Sequence, residues 1–548
     1  VSFKNWAVSA FNRTIEPYFY GPASDSYDSY DPMAEGYTLE RIGTSGTPYV
    51  VQSDPEKNGD RTFQFQGSLE WSRNFNTVHD ISAMILYLQR EYRIKALPTR
   101  NQGVSGRFTY AYDQRYLFEA NFGYNGTERL ADGHRFEFFP SFAAGWVISN
   151  EKFFEPLNKV ITNLKIRGSW GLVGNDETGL KDIRTGTDGP HFIYIDDVIM
   201  NNMGFTTGVD MNTTYKGPVY SQYGNPEATW ERSAKTNIGL DLELFSKFSL
   251  TFDVFQDKRT NILLRRERFP EYMGYRSAKP WGSVGEVKNE GLELAMNYTT
   301  NIDKDWSIDF RGTFTYNHAT MVYSDEPTYA LEYRRKDGKS LNGTWGYVAE
   351  RLFVDQADID NSPVQRFGNS PMPGDIKYKD LNGDGSIDSS DMCEISPYGA
   401  TPGIMYGFGT TVRWKQFDLG VFFQGAAQRT VMISGIHPFG DSKKNVLQFI
   451  ADDYWTEENP NPNAAYPRLD YRDQANNNRQ GSTYWMRNGS YLRLKNAELG
   501  WNFKYGRIYL TGENLLTFSP FKLWDPELEG WSSYPLSRTV NIGLKLNF

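Results

Sequence analysis

Along much of the chain, apolar and polar residues alternate one by one. In Thr539–Phe548, Val540, Ile542, Leu544, Leu546 and Phe548 share one parity, and Asn541, Gly543, Lys545 and Asn547 share the other. Side chains of a strand point to opposite faces in turn, so this segment predicts a strand with one apolar and one polar face. The same pattern sets Trp306, Ile308, Phe310, Phe314 and Tyr316 against Ser307, Asp309, Arg311, Thr313, Thr315 and Asn317. It recurs at Ile238–Leu244, Phe417–Phe423, Phe108–Tyr112 and Tyr116–Tyr124. Apolar spacings of three and four, which a helix requires, are almost absent. Glu151–Lys159 is the exception and predicts one or two helical turns.

One strand of this kind fits a soluble sandwich equally well. The connections decide between the two. Tight turns are predicted at Phe75–Val78, Asp113–Gln114, Phe245–Lys247, Asn301–Asp305, Lys415–Gln416 and Lys504–Gly506. Between them lie long polar segments near 14–60, 175–228, 265–286, 321–402, 430–489 and 517–536. Short turns on one rim and long loops on the other mark an antiparallel transmembrane β-barrel, whereas a sandwich has no reason to sort its connections this way. The fold class is all-β, with about 16 strands counted back from the C-terminus. Strands of about twelve residues or more exceed the roughly 9–11 that cross a bilayer, so the wall projects on the loop side.

Composition narrows the picture. No run of about 18 apolar residues exists, which excludes helical spans. The chain carries 35 Tyr, 36 Phe and 14 Trp, a supply that suits aromatic girdles at the two membrane interfaces. Cys393 is the only cysteine, so a disulfide scaffold is impossible and a thiolate metal site is disfavoured. The net charge of −9 argues against nucleic acid as a partner. Val1 opens on a strand-like pattern with no signal peptide before it, which implies processing or a piece of a longer protein.

Further segments are dispersed along the chain: Gly103-Val-Ser-Gly-Arg-Phe-Thr-Tyr110, Phe138-Phe-Pro-Ser-Phe-Ala-Ala-Gly-Trp146, Leu164-Lys-Ile-Arg-Gly-Ser-Trp-Gly-Leu-Val-Gly-Asn175, Trp230-Glu-Arg-Ser-Ala-Lys-Thr-Asn237, Val287-Lys-Asn-Glu-Gly-Leu-Glu-Leu294, Gly374-Asp-Ile-Lys-Tyr378, Ser490-Tyr-Leu-Arg-Leu-Lys-Asn496 and Asn514-Leu-Leu-Thr-Phe518. In this order they resemble the SusC/RagA-like TonB-dependent transporters of the Bacteroidetes outer membrane. Asp525-Pro-Glu527 is similar to a further family block, and the residues alone give it no role. The resemblance implies TonB-driven import of a glycan, oligosaccharide or peptide through an outer-membrane barrel of about 22 strands. It also implies a SusD-like lipoprotein lid, a TonB complex as energy source and pairing of the importer as a dimer. The family's plug, TonB box and first strands have no counterpart in 1–548, which is expected to be the C-terminal part of the barrel. Open edges in lipid leave backbone groups unsatisfied, so further strands are expected to join Thr539–Phe548 to the strand at Val1. The rivals are a passive porin, complete in itself, and a secreted calcium-dependent adhesion or carbohydrate-binding protein.

The sharpest local motif is Asp380-Leu-Asn-Gly-Asp-Gly-Ser-Ile-Asp-Ser-Ser-Asp391. Asp380, Asn382, Asp384, Asp388 and Asp391 place oxygens at loop positions 1, 3, 5, 9 and 12, Gly385 permits the sharp turn, and Ser386 offers a carbonyl. Hard oxygen donors around one centre suit Ca²⁺ rather than zinc or copper. Ile387 at position 8 can anchor the loop. The alternative is an Asn-Gly and Asp-Gly turn without metal. Catalysis has no support: His79, His134, His191, His318 and His437 show neither triad nor metal-ligand spacing, and no nucleophile elbow occurs. Trp281, Trp345, Trp485, Trp524 and Trp531 in the loops can stack on sugars or on a partner, or fill a loop core. The polar parity, with Asp241, Glu243, Asp309 and Arg311, is expected to line the lumen.

Overall fold

The computed structural model describes residues 2–547 except 11–12, 15–18, 23–38, 43–48, 50, 53–55, 94–97, 178–191, 203, 270–271, 273–278, 434–445, 470–475 and 529–532. Val1, Phe548, His191, His437 and Trp531 therefore lie outside the described residues.

Sixteen strands form one antiparallel sheet in which each strand pairs with the next in sequence. They are β1 (Ser2–Ala10), β2 (Glu56–Phe75), β3 (His79–Arg93), β4 (Pro98–Tyr112), β5 (Tyr116–Thr127), β6 (Phe136–Val147), β7 (Ile161–Asn175) and β8 (Glu231–Leu244). There follow β9 (Phe248–Arg265), β10 (Trp281–Asn301), β11 (Trp306–Tyr323), β12 (Ile404–Trp414), β13 (Phe417–Ala427), β14 (Tyr491–Phe503), β15 (Gly506–Phe518) and β16 (Thr539–Leu546). The strand order is linear, with β1 and β16 at its two edges. Strands reach 20 and 21 residues in β2 and β10, about twice what a bilayer needs.

The apolar parity faces outward, and none of the described residues covers it. Val540, Ile542, Leu544 and Leu546 are exposed, Ile542 by 82%. The same is true of Leu69, Phe118, Phe138, Ile238, Leu419 and Leu510 along the other strands. A continuous apolar face of this extent is an aggregation liability in water and is satisfied by hydrocarbon. At the short-turn rim, aromatic pairs ring the wall: Tyr116 on Trp146 at 6.4 Å between centroids, Trp306 by Trp414 at 5.7 Å, Trp501 by Phe503 at 5.6 Å.

The turns sit where the polarity pattern places them, with a backbone that composition does not announce. Asn76-Thr77, Asp113-Gln114 and Phe245-Ser246 each hold two successive residues at positive φ. Such turns match the right-handed twist of the flanking strands, although Gly or Asn usually occupies them. Between Val147 and Ile161 the helical turns are 3₁₀, over Ile148–Asn150 and Lys152–Leu157.

The described residues of two long connections fold together. Tyr347, Leu352, Ile376, Tyr378 and Ile387 from the β11–β12 connection share one buried core with Ile433, Ile450, Trp455, Tyr466 and Trp485 from the β13–β14 connection. Polar bonds join the two loops through this core. The Ile376 amide donates to Asn478 Oδ1 at 2.9 Å, and the Tyr378 hydroxyl donates to the Asn477 carbonyl at 2.7 Å. Arg468 Nε donates to Asp375 Oδ1 at 2.6 Å. A second core gathers Leu130, Phe139, Ile193, Ala228 and Trp230 at the base of neighbouring loops.

Candidate functional site

The polar parity makes the inner wall. Strand register brings charges on neighbouring strands side by side, because paired residues point the same way. Arg167 of β7 donates to Asp253 of β9 at 2.7 Å and to Asp241 of β8 at 3.2 Å. Arg413 of β12 pairs with Asp309 of β11, and Arg507 of β15 pairs with Asp418 of β13 and Glu498 of β14. Asp241 and Asp309, expected on the lumen side, thus belong to a belt of arginine–carboxylate pairs in the short-turn half of the wall. Arg311 instead lies over the Phe422 ring, 4.6 Å from its centroid. Concavities open on this wall among the described residues. One, of about 710 Å³, is lined by residues that include Ser82, Glu119, Lys165 and Arg167. Another, of about 450 Å³, includes Asp309, Arg413, Asp418 and Glu498.

The segment Asp380–Asp391 lies on the folded loop assembly. Ile387 is fully buried in the shared core, as its position in the motif predicts. Gly383 and Gly385 have φ of 74° and 83°, a region open to glycine at no steric cost. Asp380 accepts from the amides of Gly383 at 2.7 Å and Gly385 at 2.9 Å. Asn382 Oδ1 accepts from the Asp384 amide, and Asp384 Oδ1 from the Ser386 amide. Asp388 Oδ1 accepts from the Ser390 amide at 2.7 Å, which holds its carboxyl below the usual range. Asp391 is fully buried and accepts from the amides of Leu381 and Asp388, both at 2.9 Å. The loop is therefore closed on itself by its own carboxylates. Among the described residues no group of three or more His, Cys, Asp or Glu side chains is placed to hold a metal ion.

The role of Asp525-Pro-Glu527 is visible only in three dimensions. Arg493 of β14 is 2% exposed, and its Nη2 donates to Asp525 Oδ1 at 2.6 Å and lies 3.5 Å from Glu527 Oε2. Asp525 Oδ1 also accepts from the Glu527 amide at 3.0 Å. The Glu527 carbonyl accepts from Arg429 Nη2 at 3.4 Å. The β15–β16 connection is thereby clamped onto the wall. No sequence signal pairs positions 32 residues apart in this way.

Loop tryptophans divide. Trp485 is core, its indole N–H donating to the Asn478 carbonyl at 2.8 Å. Trp281 packs against the second core beneath Arg265, 5.2 Å away. Trp524 donates to the Ser533 carbonyl at 3.2 Å, and Lys336 lies 5.9 Å from the Trp345 ring.

Wall, girdle, sorted turns and folded outer loops are the anatomy of an outer-membrane barrel. The family model described as "TonB dependent receptor-like, beta-barrel" matches residues 2–515. This chain belongs to the TonB-dependent receptor family. Within it the SusC/RagA-like resemblance holds. The chain is 27% identical over 485 residues to TonB-dependent receptor P3 of Formosa agariphila, covering 81% of this chain and 45% of that protein. It is 26% identical over 479 residues to TonB-dependent receptor SusC of Bacteroides thetaiotaomicron, covering 83% and 44% respectively. Its fold is shared with the RagAB peptide importer in the open-open state, at a TM-score of 0.69 and 19% identity, covering 90% of this chain and 55% of that one. The chain spans about half the length of the curated relatives it matches. The family is one of receptors and transporters rather than enzymes, and its place is the outer membrane.

Proposed function

We propose that the chain is the barrel portion of an energised importer that takes up a glycan, an oligosaccharide or a peptide. The observation that carries this reading is the pairing of a charged inner wall with outer loops folded into one body (the core that joins Ile376 and Tyr378 to Ile450 and Trp485) on a TonB-dependent receptor scaffold. In this reading a plug and a TonB-contacting segment are supplied by the rest of the protein. A SusD-like lipoprotein covers the loops, and two importers pair as a dimer. The inner-wall belt then borders the path beside the plug. The test is uptake by cells carrying the full-length protein, with and without a functional TonB complex. An importer loses accumulation of its ligand when TonB is removed. Uptake that persists unchanged fits the passive porin instead and overturns the proposal.

A structural Ca²⁺ in Asp380–Asp391 belongs to the same proposal. The donor set is all oxygen, and the two glycines at loop positions 4 and 6 already hold positive φ. Asp380, Asn382, Asp384, Asp388 and Asp391, with the Ser386 carbonyl, would hold the ion once their oxygens turn from the loop amides toward one centre. Each carboxylate keeps acceptor capacity beyond the amides it now serves.

A further inference from the structure

Just past the C-terminal end of β13, two cations have no carboxylate partner among the described residues. Arg429 is 6% exposed, and its Nε donates to the Ala400 carbonyl at 2.6 Å. Among the described residues its side chain's other partner is the Glu527 carbonyl, and Nη1 is buried with no hydrogen-bond partner there. Arg487 bonds through Nη1 to the carbonyls of Tyr484 at 2.7 Å and Met486 at 3.0 Å. Carboxylates are close by, but Asp525 and Glu527 both pair with Arg493. Among the described residues, neither Arg429 nor Arg487 forms an ion pair. Both line one cavity of about 360 Å³, together with Tyr398, Gln428, Asn488 and Ser490. That volume lies at the lower end of ligand sites.

We infer that this cavity binds the carboxylate of a hexuronic-acid unit, in a saccharide that the importer takes up. The inference rests on the importer reading only for the ligand's fate, not for its binding. A guanidinium forks onto a carboxylate with two parallel bonds, and a buried donor without a partner gains from one that arrives. The rest of the lining argues for a sugar rather than a peptide. The amides of Gln428 and Asn488 and the hydroxyl of Ser490 both donate and accept, which vicinal hydroxyls require. Backbone pairing is one recurring way of holding an extended peptide. Here that backbone is already committed: Gln428 accepts from the Gly403 amide, Arg429 accepts from the Gly489 amide, and Thr430–Met432 pairs with Met486–Asn488.

The test is equilibrium binding of digalacturonate, of neutral galactobiose and of a Glu-Glu dipeptide to the full-length transporter in detergent, with no energy source. Digalacturonate is expected to bind at least tenfold more tightly than galactobiose, with the preference shrinking as salt is raised. Arg429→Gln and Arg487→Gln should each remove that preference, leave galactobiose within twofold, and preserve the heat-modifiable mobility of the folded barrel. Equal binding of the two disaccharides by the unaltered protein overturns the inference without recourse to any variant. So does Glu-Glu binding as tightly as digalacturonate, or a folded Arg429→Gln protein that keeps the preference. Binding as expected together with TonB-independent uptake would sink the importer reading alone. TonB-dependent uptake of other cargo with no uronate preference would sink this one alone.

Discussion

Removing the clamp between Arg493 and Asp525 should free one outer loop and leave the barrel standing. Both side chains are buried, and the pair is closed by a 2.6 Å bond with Glu527 as a more distant partner at 3.5 Å. Two unit charges about 4 Å apart interact by about 4 kcal/mol at an effective dielectric of about 20. Breaking a buried pair by deleting one member costs about 3–5 kcal/mol, because the other charge is stranded. In Asp525→Ala, Glu527 partly replaces the lost partner, so we expect about 2–3 kcal/mol. In Arg493→Ala, two carboxylates lose their cation, and about 3–4 kcal/mol is expected. Asp525→Asn keeps the acceptor for the Glu527 amide and loses only charge, so its cost should be the smallest. The assay is hydrogen exchange over 519–528 in the detergent-solubilised full-length protein. There the Leu528 amide bonds to the Asp525 carbonyl at 3.2 Å and reports local opening. A loss of about 3 kcal/mol raises exchange roughly a hundredfold, since about 1.4 kcal/mol is one decade. Exchange in Arg493→Ala within twofold of the unaltered protein, or equal acceleration in the strands of the wall, would refute the reasoning.

Calcium should protect the Asp380–Asp391 loop from protease, and Asp384→Ala should abolish that protection. Equal cleavage in calcium and in chelator would end the metal assignment. Asp358 is held at about 2 by the Arg351 guanidinium, with Lys377 adding to it. Its folded value lies below its unfolded one, so the stabilisation is present above pH of about 4 and is lost as pH falls toward 2. The fall from 3.8 to about 2 corresponds to about 2.4 kcal/mol, and the partly exposed Arg351 reduces this to about 1. Asp358→Asn should therefore destabilise the loop assembly at pH 7 but not at pH 2, read by proteolysis. A cost that does not change with pH would count against it.

Much of the fold was legible because a strand repeats every two residues, and a barrel wall needs no other code. Connections between antiparallel neighbours alternate between the two ends whatever their length. Yet the structure keeps β3 to β4 and β5 to β6 close on the long-loop side, with only 94–97 and 128–135 between them. Turn positions were readable while turn chemistry was not. Phe245-Ser246 takes a backbone normally reserved for glycine or asparagine, since the paired strands impose it. The loop core was hidden because Tyr378 and Ile450 have no common period. Likewise, Asp525-Pro-Glu527 stood out as a block while its partner, Arg493, lay in a different element. Charge pairs across the wall depend on register, and local sequence does not carry register between Arg167 and Asp253.

The central claim is that the apolar parity of the wall meets lipid and the polar parity meets water. It is tested by single cysteines placed in a Cys393→Ser background of the full-length protein in outer membranes. Spin labels at Ile542, Leu544 and Leu546 should relax with membrane-soluble oxygen, and labels at Asn541 and Lys545 with a water-soluble nickel chelate. Strict alternation along 541–546 is the predicted result. Uniform access of the nickel chelate to both parities, or protection of Ile542 and Leu544 from both reagents as in a protein interior, would contradict the account.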